Sequence, residues 1–384
     1  MSEITIVGGG LTGLVAAIAA AEKGASVRLL EAQRRLGGRA RTTAPPYRAN
    51  FGPHVIYGDG PLWRWLAERN LTPPHSGPAL SGFRFIAGGV VRKMLPAAAV
   101  TTMTRLGRAE PPADVDLRTW LSAKTDERTA AMLCAAAGVV TFDHDPGRLS
   151  AAFAWTQLRR VAVSARHVKY VHGGWGSLID VLARHATSIG VRIETGVRVD
   201  QVEPVSIVAT RLHAACDLLR DETLRWESAR CALLDVALES RRGDPFLVWN
   251  LDRPGWIERY TKPDPSLAPP GVSLLQAQAG LEPGIPLEDG IAHLEAMLDA
   301  SFPGWRERAV WSRSHISDGK TGALDLPGTT WQDRPAIDRG GGIFVAGDQV
   351  AAPGLLSEVG FASAIEAARL ACVAASAARA GGPR

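Results

Sequence analysis

Apolar positions along this chain fall into two rhythms. Ile4-Thr5-Ile6-Val7, 27–30, 205–209 and 343–346 are short apolar runs with little alternation, the pattern of strands buried on both faces of a parallel sheet. Longer stretches repeat with helical spacing: 14–21, 61–70 with Leu62, Trp63 and Leu66 on one side, 117–142, 287–300, and an alanine-rich run from about Glu358. A further helix starts at Leu149-Ser150-Ala151, after the break Asp145-Pro146-Gly147, and another runs to about Ile189. The stretch 82–95 turns at Gly88-Gly89 and predicts a hairpin. Strands are also expected over 190–193, 197–202, 246–249 and 272–275, while 109–116 reads as a linker. Alternating strand and helix patterns predict an α/β fold.

The first forty residues add chemistry to that pattern. The first strand runs straight into Gly8-Gly9-Gly10-Leu11-Thr12-Gly13, a helix follows, Gly24 closes it, and Glu31 ends the second strand. Gly8 permits the turn, Gly10 lets backbone approach a pyrophosphate, and Gly13 lets helix and sheet pack closely. The helix N-terminus, with the amides of Leu11 and Thr12, offers free N–H groups and a positive dipole end to phosphates. Glu31 stands eighteen residues past Gly13, placed to accept from both ribose hydroxyls of an adenosine. Ala32 and Arg34 flank that acid.

Leu36-Gly37-Gly38-Arg39-Ala40-Arg41-Thr42 follows directly. Here the chain resembles the flavoprotein superfamily of amine oxidases, protoporphyrinogen oxidases and phytoene-type desaturases. In that family a twin-glycine segment ending in arginine runs along FAD, which implies cofactor contacts for Gly37, Gly38, Arg39 and Ala40. The resemblance extends to Asn50-Phe51-Gly52-Pro53-His54, although the family usually has aspartate where Asn50 stands. Gly52, Pro53 and His54 would then lie against the flavin, with His54 as a flavin neighbour, a proton carrier or a buried hydrogen-bonding histidine. Gly173-Gly174-Trp175-Gly176-Ser177-Leu178 and the following strands also match, and Val199 would lie near the adenine. At the far end, Gly347-Asp348 closes a strand whose aspartate the family uses on the ribityl and phosphate region. Glu358 and Val359 would begin a helix aimed at the flavin, Val359-Gly360 and Ser363-Ala364 replacing the smaller family pairs.

The resemblance implies a Rossmann-like FAD-binding domain of glutathione-reductase type, at 1–75, 165–215 and 315–384. An interleaved α+β substrate domain would occupy 76–164 and 216–314. It implies an FAD-dependent oxidoreductase that transfers hydride from a mostly apolar small molecule to flavin N5, with the desaturase and protoporphyrinogen oxidase branch favoured by the 145–151 region. A flavin-dependent amine oxidase, an FAD-dependent isomerase and a non-catalytic flavin-binding subunit are the alternatives. No cysteine lies in the C-terminal segment before the helix, so FAD is expected to be non-covalent. No second fingerprint for NAD appears, which leaves dioxygen, a quinone or an external carrier as oxidant. His54, His315 and Lys320 are the candidate bases, Lys320 reading more readily as a solvated loop lysine.

Composition changes little. The chain has 384 residues, 46% hydrophobic and 21% charged, with a net charge of +4. No basic run predicts nucleic-acid binding. The four cysteines show no metal spacing and are expected to be reduced in the cytoplasm. The first strand begins so early that no leader is expected, and the apolar stretch 129–142 is too short to span a bilayer. Peripheral membrane contact and oligomeric state stay open. Eleven tryptophans fit either a large apolar cavity or a bulky core.

Overall fold

The computed structural model describes residues 3–52 and 55–380. Five short strands form an all-parallel sheet in the order Ile343–Val345, Ser206–Val208, Ile4–Val7, Val27–Glu31, Arg192–Thr195. Ile6 stands at its centre, level with Leu29 on one side and Ile207 on the other. Helices cover this sheet, chiefly Leu11–Ala21, Trp175–Ser188 and Ser357–Ala380. Alanines of the first and last, among them Ala16, Ala20, Ala364, Ala367 and Ala371, are fully buried in one core. Small side chains let these two helices and the sheet approach closely.

A second sheet of seven strands lies beside the first. Its order is Ala309–Asp318, Arg230–Glu239, Val272–Gly280, Gly255–Arg259, Leu247–Asn250, Phe83–Ala87, Val90–Arg92. All its neighbours pair antiparallel except Leu247–Asn250 with Phe83–Ala87. One face packs Leu234, Val236, Ile257 and Leu275 against the helix Leu287–Ser301 and Phe302. The other face turns towards the nucleotide-binding half and the helices Glu127–Thr141 and Ala151–Ser164. A small sheet of Ile56–Tyr57, Val168–Val171 and His75–Ser76 joins the halves.

The hairpin, the breaks and most helices lie where periodicity puts them. Three of these expectations differ, and the strands Arg230–Glu239 and Ala309–Asp318 were not expected. The helical stretch 117–142 is two helices, Leu117–Ser122 and Glu127–Thr141, because Asp126 accepts from the Thr129 N–H and starts a new one. The strand expected over 197–202 is irregular chain, so Val199 sits in a half-buried loop. The Val197 N–H nonetheless donates to the Glu31 carbonyl, which brings that loop to the end of the second strand. Ser357–Ala377 is longer than 129–142 and meets the length and composition of a membrane span. Half of that window is buried against the Rossmann-like core, as a central helix of a folded domain would be.

Candidate functional site

Four chain segments converge at the carboxyl ends of the parallel strands, where open α/β sheets bind ligands. The turn after Val7 carries Gly8 at φ +112°. A Cβ on Gly8 would lie 2.6 Å from the Ala209 carbonyl, and one on Gly13 would lie 1.9 Å from the Gly8 carbonyl. Those two glycines are required by the protein's own crowding. Gly10 differs: a Cβ there would find nothing nearer than the Gly37 carbonyl at 3.9 Å. It caps the helix Leu11–Ala21 without a side chain, so the helix begins at the motif itself and its first amides face the cleft.

Glu31 is buried at the strand end. Its Oε2 accepts from the Gly9 N–H at 2.8 Å and its Oε1 from the Gln33 N–H at 2.7 Å. Each oxygen keeps a lone pair for a further donor. Gly9 was not among the residues singled out from the sequence, yet a Cβ there would strike Leu36 at 2.3 Å and press on Glu31. The three consecutive glycines were the available signal. Ala32 and Arg34 are exposed beyond the acid.

The twin glycines dock on this loop. The Gly37 N–H donates to the Gly9 carbonyl at 2.8 Å, and Gly10 bridges Gly37. Gly37 and Gly38 both have positive φ, and a short turn over Gly38–Ala40 follows with Ala40 buried. Arg39 then reaches across the fold. Its two terminal nitrogens donate to the Asp348 carboxylate at 2.6 and 2.9 Å, and Nη1 also donates to the Lys320 carbonyl at 2.6 Å. A bidentate pair of this kind fixes both partners and neutralises a carboxylate beside the glycine turn.

The C-terminal helix meets the first helix here. A Cβ on Gly360 would lie 2.8 Å from the Thr12 hydroxyl. Buried Ser363 accepts from the Gly347 N–H and donates to backbone carbonyls, holding the Gly347-Asp348 turn on the helix. Glu358 is engaged by protein groups: Oε1 accepts from Arg160 at 3.1 Å and Oε2 from the Leu355 N–H at 3.2 Å. Val359 and Asp348 line a small cavity of about 10 Å³ with Val140, Thr141, Gln157 and Gly322. Gln157 Oε1 has no hydrogen-bond partner there. It lies on the helix Ala151–Ser164 and carries no sequence signal.

Asn50 explains its departure from aspartate. Its Oδ1 accepts from the Trp175 N–H at 3.0 Å, at the start of the helix Trp175–Ser188, and from the Thr42 hydroxyl. Its backbone exchanges hydrogen bonds with the Gln276 amide, and its carbonyl also accepts from Arg313. A neutral amide meets these partners without burying a charge. Phe51 follows, with the Arg41 and Arg313 guanidiniums 5.1 and 4.5 Å from its ring centroid. Gly52 is buried at φ +115°. Pro53 and His54 lie outside the described residues.

Two other candidate bases come together. His315 projects from the strand Ala309–Asp318, 6.2 Å from the Phe51 ring. Neither ring nitrogen has a hydrogen-bond partner among the described residues. Burial lowers its pKa to about 4, helped by Arg313 and Lys320. Lys320 lies in the segment that wraps Asp348, where the Ala323 N–H donates to the Asp348 carbonyl.

The inner face of the second sheet carries a buried polar row that sequence reading missed. Strand register sets Arg313 opposite Asp235, Asp235 opposite Gln276 and Gln276 opposite Glu258. Asp235, Gln276 and Glu258 are 2%, 1% and 2% exposed. Arg313 pairs with Asp235, Gln276 Nε2 donates to Asp235 at 2.8 Å, and the Tyr170 hydroxyl donates to Glu258. Burial pushes the Glu258 carboxyl up to about 7, against the hydrogen bonds of Tyr170 and Tyr260.

Comparison with known proteins agrees with this architecture. Residues 6–69 match the NAD(P)-binding Rossmann-like domain family. No curated protein matches the sequence. Among solved structures, an oxidoreductase from Methanosarcina mazei aligns at 16% identity and TM-score 0.79, over 95% of this chain and 99% of its own. Cyclohexylamine oxidase from Brevibacterium oxydans aligns at 17% and 0.74, over 97% and 98%. Reduced UDP-galactopyranose mutase aligns at 13% and 0.72, over 96% and 95%. The α/β architecture with a Rossmann-like domain, expected from the sequence, is the observed one, and it is shared along the whole length of these chains.

Proposed function

We propose that this chain, on the fold it shares with cyclohexylamine oxidase, is an FAD-dependent oxidoreductase acting on a largely apolar small molecule, with FAD held non-covalently. The observation that carries this reading is the convergence of Gly10, Glu31 and the Arg39–Asp348 pair on one cleft, drawn from segments more than three hundred residues apart. The residues fit such a cofactor. Gly10 leaves room that no protein atom requires, and Glu31 keeps acceptor capacity for a ribose. Bound there, FAD would supply hydride acceptance at flavin N5.

The chain's own residues do the rest. In this reading the amides at Leu11 and Thr12 hold phosphate, and Arg39 and Asp348 fix the middle of the cofactor. Gly37, Gly38 and Ala40 lie along it, Val199 near the adenine, and Val359 beside the flavin. The apolar substrate approaches from the side of Val140 and Val359, where Gln157 keeps an unpartnered acceptor. His54, Lys320 and His315 are the proton-handling groups, and His315, neutral at pH 7, presents both an acceptor nitrogen and an N–H. The stretches 76–164 and 216–314 form the substrate side, and dioxygen, a quinone or an external carrier takes the electrons. Likeness to an amine oxidase keeps amines among the donors to be tried. Likeness to a mutase favours a second reading without net oxidation, in which turnover needs prior reduction.

The test is to purify the protein aerobically, record its visible spectrum, and mix it anaerobically with a polyene, an amine and a porphyrinogen. Bleaching of the oxidised flavin band by one of them supports the reading and names the donor class. A yellow protein that none bleaches, but that turns over a substrate after pre-reduction, transfers the weight to the isomerase. A colourless protein that takes up no added FAD overturns both.

A further inference from the structure

Residues 70–109 contain no aspartate or glutamate and five basic side chains, Arg84, Arg92, Lys93, Arg105 and Arg108. That stretch alone carries +5 in a chain whose total is +4. None of the five makes an ion pair among the described residues. Their hydrogen bonds go to backbone carbonyls, Arg84 to Phe83, Arg92 to Ala87 and Arg105 to Lys124. Arg105 thereby brings a sixth cation, Lys124, alongside, and Arg128 lies against Gly88 at the hairpin turn.

The same stretch holds four large exposed apolar side chains. Leu80 is 97% exposed, Met94 79%, Val90 53% and Val100 45%. They are carried by an outlying part of the fold. Val90–Arg92 is the edge strand of the seven-stranded sheet, and the helix Ala97–Arg105 follows it on the outside. Phe85 stands opposite Arg92, so Met94 and the chain entering from Leu80 lie at the same end of the hairpin. That helix buries Ala99 and Thr102 inward and turns Val100, Thr101, Thr104 and Arg105 outward.

Two acids border this face, and exposed Glu110 follows it in the chain. Asp252 accepts the Gly88 and Gly89 N–H groups, and Asp126 accepts from Thr129 at the start of the next helix. Unpaired cations ringing isolated leucine, methionine and valine tips match a surface that is anionic above and hydrocarbon below. A nucleic acid would leave the apolar tips without a partner, since no exposed aromatic side chain interleaves them for stacking.

We propose that the face formed by Leu80, the edge strand Val90–Arg92, Lys93, Met94 and the helix Ala97–Arg105 docks on an anionic lipid bilayer. Leu80, Met94 and Val100 enter the interface while Arg92, Lys93, Arg105 and Arg108 meet lipid headgroups. The helix rests against the start of Glu127–Thr141, where Thr102 meets Thr125 and Arg105 meets the Lys124 carbonyl. The surface is independent of the cofactor reading, and its test needs no turnover.

Purified full-length protein is sedimented with vesicles of phosphatidylcholine alone and with vesicles containing one third phosphatidylglycerol. Binding is expected to the anionic vesicles and to weaken as salt is raised. Arg92→Gln with Lys93→Gln should weaken it about thirty-fold, at roughly five-fold for each charge near the surface. Leu80→Asp with Met94→Asp should reduce it at low salt as well, without lowering the melting temperature, because both side chains lie in solvent. Arg241→Gln with Arg242→Gln, on an exposed loop elsewhere, should leave it unchanged. Equal sedimentation with both vesicle types overturns the proposal. So does retention by the Arg92/Lys93 variant, or binding to single-stranded RNA with none to vesicles.

Discussion

Glu258→Gln isolates the energetic cost of the buried polar row. Glu258 is enclosed between strands and tyrosines, and burial raises its carboxyl from an ordinary 4.5 to about 7. An unfolded chain releases that proton near pH 4.5, whereas the folded chain holds it until near 7. The folded state therefore binds more protons between these values. Stability is full below about pH 4.5 and falls as pH rises towards 7. The difference amounts to about 3 kcal/mol, at about 1.4 kcal/mol for each tenfold change in proton affinity. Glutamine keeps the shape and an oxygen to accept from Tyr170, but has no proton to lose. The variant should match the parent near pH 4.5 and exceed it by about 3 kcal/mol at pH 7.5. With an unfolding entropy of about 2 cal/mol/K per residue over 384 residues, that is about 4 °C in melting temperature. Calorimetric melting of both proteins at pH 5 and pH 7.5, at one ionic strength, checks it. An offset that is the same at both pH values, or that shrinks towards pH 7.5, would refute a proton held by Glu258.

Three further predictions separate folding from cofactor binding. Gly10→Ala should fold normally yet bind FAD poorly, while Gly13→Ala should lose several degrees of melting temperature, because its Cβ would sit 1.9 Å from the Gly8 carbonyl; a Gly10→Ala protein with parental flavin content would remove the phosphate from that turn. Glu31→Ala should lower flavin occupancy and cost about 1–3 kcal/mol of stability as well, since the Gly9 and Gln33 amides lose their acceptor; unchanged flavin content in the purified variant counts against the ribose assignment. Asp348→Ala leaves Arg39 without its bidentate partner and should weaken FAD binding about ten-fold or more, at about 1.5–3 kcal/mol for a charged hydrogen-bonding group; equal retention of flavin on dialysis would sink that role.

The pieces of the site most readable from sequence are those governed by consecutive residues. Gly8, Gly10, Gly13 and Glu31 answer to one turn, one helix start and one strand end, and the steric demands of each act within a few positions. Gly347-Asp348 is readable for the same reason. The long strands Arg230–Glu239 and Ala309–Asp318 were not. The first is buried on both faces and so shows no alternation, and the second is an edge strand whose serines and arginine break the apolar rhythm.

The sequence by itself determined the glycine turn, the acid at the end of the second strand, the helical and strand rhythms and an acid-free basic stretch, because each depends on local backbone geometry or on composition alone. Only the tertiary structure decided that Arg39 holds Asp348 across 309 positions, that Asn50 ties the helix Trp175–Ser188 to the seven-stranded sheet, and that Arg313, Asp235, Gln276 and Glu258 share one row. It also decided that the basic stretch lies on an open edge beside exposed leucine and methionine. Those facts follow from strand register and docking, which couple residues far apart in the chain and leave no trace in the order of their neighbours.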